Sequence, residues 1–354
     1  MSTKKGGRRA LSRLLDSHIK NLEETFQMLD TPAESSLEKV DWAQVTKLGD
    51  EISKQATATG MLWNGEAREL KELEESLGAY FNLLHGFLLS CHGSTVCSGP
   101  TLHAYIHTSA KQIMDSSLSL LREAVSSYGK PHSSKNLTIP QLAGSVWEAC
   151  TALKKTPTTN CNAVGRAITQ VAVSVKDVLR EMRELKPAAI AASSTSEPDA
   201  NPEDFNNESS DDDLGDDLSP EEMMVAQLIL DVTSNSLEAL KEVIRFVSGL
   251  IKSSKVDSKD FIESLERLLS YCREIGSEVN DLGACVYPPQ EISGMTAAAR
   301  KIGHGVGEIR KEVESMGSSK ERLFMAFEQL ESSLGRLETG LAGSSVPEMD
   351  KLVL

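Results

Sequence analysis

PAAIAASSTSEPDANPEDFNNESSDDDLGDDLSPEE, residues 187–222, divides this chain. The stretch holds twelve acidic residues, four prolines, no lysine or arginine and almost no large apolar side chain. It offers too little apolar surface to offset the entropy of ordering it. Loops this long are uncommon inside one compact domain. It therefore reads as an acidic linker (187–219), disordered and solvated, between an N-terminal helical bundle (1–186) and a C-terminal one (220–342), with a flexible tail at 343–354.

On either side the pattern is helical. Immediately before the linker, Val164, Ile168, Val171, Val175, Val178, Met182 and Leu185 alternate steps of four and three, which lays one apolar seam along a helix and calls for a partner helix. Immediately after it, Ser219-Pro220-Glu221-Glu222 is a helix start: serine as cap, proline in first position, glutamate three residues on. That helix carries Val225, Ile229, Val232, Leu240, Val243, Val247 and Leu250. Two more seams follow, Phe261–Val286 up to Tyr287-Pro288-Pro289 and Leu323–Leu341, with a Gly- and Ala-rich helix at about 293–316 between them.

The first half reads the same way. Helices are expected over Leu11–Leu29, from about Ser36 to Trp63, from Glu66 along Leu70–Leu88, and from Pro100 to Tyr128. A short fifth one starts at a Thr138-x-x-Gln141 capping box. Trp42, Trp63 and Trp147 fall on apolar faces and are expected in the core. No hairpin signal and no alternation of strand with helix is present. The fold class is all-α, two antiparallel bundles, with seams paired within the chain because the connections are short.

Charge narrows the function. Twelve of the 52 acidic residues lie in the divider, leaving forty against 37 lysines and arginines elsewhere, a net of −3 rather than −15. No basic field of the kind that binds nucleic acid is spread over the halves. Lys4, Lys5, Arg8 and Arg9 form one small cluster, of the sort found in nuclear signals and in solvated termini alike. The N-terminus lacks a signal-peptide core, and no apolar run has membrane-spanning length. The expectation is a protein of the cytosol or nucleus that binds neither membrane nor nucleic acid, with six reduced cysteines.

Catalytic and metal signatures are weak. His85, Cys91, His92, Cys97, His103 and His107 are zinc-type ligands close in sequence, and Cys91, Cys97, His103 and His107 make the tightest candidate set. Their spacing matches no paired knuckle, and the surrounding helices need no metal to fold. Gly303-His304-Gly305-Val306-Gly307 lacks both phosphate-loop spacings and follows no strand, so close helix approach or a helix break is the better reading. No catalytic residue, metal ligand or cofactor site is assigned, and no enzyme activity is expected. Ser209 and Ser210, each followed by acidic residues, are candidate phosphorylation sites in the linker.

Three stretches carry a family resemblance: Ser145-Val146-Trp147-Glu148-Ala149-Cys150, Val175-Lys176-Asp177 with Glu181-Met182, and Asp281-Leu282 leading to Val286-Tyr287-Pro288-Pro289. In that order, with an acidic divider before the second half, the chain resembles the cyclin-D-binding proteins, also called the Grap-two and cyclin-D interacting proteins. The resemblance implies a non-enzymatic regulator with a two-part fold similar to talin and vinculin bundles. It implies D-type cyclins and helix-loop-helix transcription factors as partners, damping of cell-cycle entry, and movement between cytoplasm and nucleus. The alternative of a different class is a cytoskeletal or adhesion-type scaffold bundle.

Overall fold

Ser219 opens its helix by the expected exchange. Its hydroxyl accepts from the Glu222 N–H at 3.2 Å, its own N–H donates to Glu222 Oε2 at 2.9 Å, and Pro220 takes the first position. The computed structural model describes residues 2–63, 69–128, 139–185, 218–251, 258–316 and 320–344. Those residues are all-helical, with no β-strand: α1 (Ser2–Phe26), a 3-10 turn (Gln27–Asp30), α2 (Trp42–Leu62), α3 (Leu70–Ser94), α4 (Pro100–Ser127), α5 (Ile139–Leu153), α6 (Asn160–Met182), α7 (Pro220–Leu250), α8 (Lys259–Cys285), α9 (Ile292–Met316) and α10 (Glu321–Ser344). Two compact units form, Met1–Val164 with Ser253–Glu266, and Gly165–Lys252 with Arg267–Leu354. The division falls inside α6 and inside α8. Most of the acidic divider, including Ser209 and Ser210, and Thr138 of the expected capping box lie outside the described residues.

In the first unit, α1 packs on α3 and α4, α2 on α3 and α5, and α4 on α5. Their apolar faces meet around Tyr80, Phe81 and Phe87, all fully buried. The Tyr80 hydroxyl, sealed in this core, donates to Ser117 Oγ at 3.2 Å. α2 starts at Trp42, later than the periodicity predicts, because a tertiary tie competes with the helix. Ala33 N–H donates to Thr95 Oγ1 (2.8 Å) and Val40 N–H to the Gly93 carbonyl (3.1 Å), holding 33–40 against the end of α3. Asp41 then caps the helix by accepting from Ala43 N–H at 2.9 Å.

Pro100 opens α4 as expected, and distant side chains satisfy the donors at its start. Glu266 accepts from the Thr101 N–H (3.0 Å) and hydroxyl (2.6 Å), while Asn160 Oδ1 accepts from Gly99 N–H at 2.7 Å. Asn160 Nδ2 also donates to the carbonyl of Cys97, a residue in the left-handed region at φ 56°.

In the second unit, α10 packs on α7 and α9. The α6 seam meets α8, where Val171 stands over Gly276 and Val178 over Gly283, the two pairs one heptad apart. A β-carbon at Gly283 would sit 2.7 Å from Val178 Cγ1, so glycine there sets how closely the helices approach. Gly303–Gly307 lies within α9, where a β-carbon on Gly305 would come within 3.1 Å of Ile275: of the two expected readings, close helix contact holds and a helix break does not. Lys301 and Glu278 (2.8 Å) and Arg267 and Glu312 (2.6 Å) tie α9 to α8.

Candidate functional site

Trp147 departs from the expected core placement: it is 44% exposed. Its neighbours Val146, Ala149 and Cys150 are buried, so the Ser145–Cys150 motif divides between core and surface. The cause is helical register. Ala143, Val146, Ala149, Cys150 and Leu153 form the inward face of α5, and Trp147 lies about 100° around from Val146. That register was the available signal, and a periodicity reading that counts only apolar character misses it.

The indole is held rather than loose. Its Nε1–H points across to α2, 3.2 Å from the Ser53 carbonyl and 3.1 Å from Thr57 Oγ1, and the Thr57 hydroxyl donates to the same carbonyl at 3.0 Å. Ser53, Thr57 and Met61 follow one stripe of α2, and Met61 at its end is 71% exposed. Beside the ring on α5, Gly144 borders open space. Ion pairs flank the surface, Asp50 with Lys154 and Glu51 with Lys54, each at 2.8 Å. The arrangement is a fixed aromatic plate with a polar rim, the composition of a protein-binding hot spot. Little conformational entropy remains to be lost when a partner covers it.

Of the three, Trp63 is buried at 7% exposure, and Trp42 is half-buried with its Nε1 enclosed. In the second unit, Val286 is buried while Tyr287 is 40% exposed. Gln290 fixes that turn by donating to the Val286 carbonyl (3.1 Å) and the Glu222 carbonyl (3.0 Å). Val175, Met182 and Leu282 are core.

The His/Cys set is not gathered into a ligand cage, and among the described residues no three His, Cys, Asp or Glu side chains could hold a metal ion. Cys91 is fully buried, and burial pushes its thiol up from the ordinary range. His85 Nδ1 pairs with Thr25 Oγ1 at 2.9 Å, and His107 lies 3.5 Å from Asp30 with its ring 4.9 Å from Phe26. Burial lowers His103; its hydrogen bond to the Leu29 backbone opposes this, and His107 and His92 add to it. His103 and His107 seat the 3-10 turn against α4, while His85 ties α3 to α1. No helix among the described residues is long and apolar enough to cross a membrane.

All three motif stretches lie within regions that match known family models. The family model described as Grap2 and cyclin-D-interacting, N-terminal, matches residues 44–188, and its C-terminal counterpart matches 206–311. Among curated proteins, the Cyclin-D1-binding protein 1 homolog of Xenopus laevis is similar, 23% identical over 207 residues. That alignment covers 58% of this chain and 58% of the relative, so less than two thirds of the relative's length is matched. With the two family models together spanning well over half of the sequence, the chain belongs to the Grap2 and cyclin-D-interacting family.

Proposed function

We propose that this chain is a non-enzymatic protein-interaction regulator that binds a D-type cyclin, a helix-loop-helix transcription factor, or both, in cytoplasm and nucleus, and restrains cell-cycle progression. In this reading the helices form antiparallel bundles of the talin and vinculin kind, and the acidic linker stands between α6 and α7. Phosphorylation at Ser209 and Ser210 adds charge to that linker. The observation that carries the reading is Trp147: a family-like motif spends its largest side chain on the surface and fixes it there with hydrogen bonds. Buried core needs no such residue outside, whereas partner recognition favours a rigid tryptophan. The cyclin assignment rests on membership of the family and on the name of the amphibian relative.

The test is a titration of the full chain with a D-type cyclin, and separately with a helix-loop-helix factor. Saturable binding of either at micromolar affinity or tighter is expected. Failure of both to bind would remove the regulator reading and bring the scaffold alternative forward.

A further inference from the structure

The N-terminal cluster of basic residues acquires a defined geometry in the structure. α1 is anchored by Leu11, Leu15, Ile19 and Leu22, all buried, against α3 and α4. Arg8, Arg9, Arg13 and Lys20 are exposed on the remaining surface. By helical register Arg9, Arg13 and Lys20 fall within about 40° of one another, on a stripe that also carries one exposed carboxylate, Asp16, and keeps a net positive charge. No acidic residue occupies the first turn. Among the described residues, none of these four cations has a carboxylate within ion-pair distance, a state they share with several other exposed cations of the chain.

Such a placement runs against local stability. Positive charges near a helix N-terminus oppose the macrodipole, and arginines one turn apart repel each other. An acidic partner removes both penalties at once. The spacing suits a peptide: residues one helical turn apart rise about 6 Å, and alternate side chains of an extended strand are about 6.6 Å apart. Guanidinium groups accept such carboxylates in a two-point clasp. The field is also short, because Glu23 and Glu24 are exposed just beyond Lys20. A duplex nucleic acid needs a wider basic surface than these turns supply.

We propose that the outer face of α1, carried by Arg9 and Arg13 with Arg8 and Lys20 beside them, is a docking surface for an acidic peptide segment of a partner protein. This is separate from the Trp147 surface, and it stands or falls independently of cyclin binding. The test uses the full chain, fluorescein-labelled decaglutamate as probe, and polarisation read at about 0.1 M salt, where screening is moderate. Saturable binding is expected, weakened about tenfold or more by the double variant R9E/R13E and retained in larger part by R9K/R13K. Glutamate at these exposed positions suits the start of a helix, so the reversed variant keeps its fold, checked by circular dichroism. Absence of saturable binding, or equal binding by R9E/R13E, would overturn the proposal. So would equal or tighter binding of a short duplex DNA or of phosphatidylserine vesicles, each of which would identify a general polyanion surface.

Discussion

At the scale of single residues, His103 and His85 tie the stability of the first unit to pH. Burial holds both rings below the ordinary value of 6.5, each helped by a neighbouring histidine. A histidine depressed in the folded state contributes stability that is fully present above 6.5. As pH falls through that value the unfolded chain takes up the proton first, and the contribution is lost. The melting temperature should therefore fall on acidification from about pH 7.5 to about pH 5, and less steeply in a His85→Gln/His103→Gln variant. Parallel profiles for the two proteins would rule the histidines out as the cause. Sequence reading noted these side chains as zinc-type ligands and assigned no metal site to them, because closeness along a chain says nothing about where imidazoles point. It also missed Trp147, whose exposure follows from an offset of one residue from a buried seam.

For the elements, the seams were readable because burial on one helical face imposes a period on the chain. Leu323, Phe327, Leu330, Leu334, Leu337 and Leu341 are all buried, as their spacing requires. The Ser219 start was readable because its partners are three residues away. The start of α2 was not, since Thr95 and Gly93 act on residues 33–40 from another helix. Replacing Ser219 by alanine removes one side of the capping box, and thermal or urea unfolding should show a loss of about 1 kcal/mol. Glycines separate by context. Alanine at Gly276 or Gly283 meets a stiff valine on α6, at a cost of about 1–3 kcal/mol each in overpacking against about 1 kcal/mol regained in helix propensity. The double variant is expected to melt lower than the parent. Gly335→Ala on α10, with nothing within 4 Å of the added carbon, should melt higher. The same sign for both would mean that α6 and α8 are not held together by these contacts.

Across the whole molecule, the placement of side chains is informative. The free thiols provide a direct readout of the folded interior. Cys91 in the first unit and Cys272 in the second are fully buried with thiols pushed up by burial, while Cys97 and Cys285 are partly open. Labelling of native protein with a thiol reagent should modify Cys97 and Cys285 well before Cys91 and Cys272; early modification of the buried pair would contradict the described cores. Near-neutral charge outside the acidic divider, helical units and a fixed surface tryptophan support the interaction role proposed above. The most direct measurement is the affinity of a D-type cyclin for the full chain and for its Trp147→Ala variant, with melting temperature followed in parallel. The account predicts binding weakened about tenfold or more with the fold intact. Unchanged affinity in a folded variant would contradict it and place the recognition surface elsewhere.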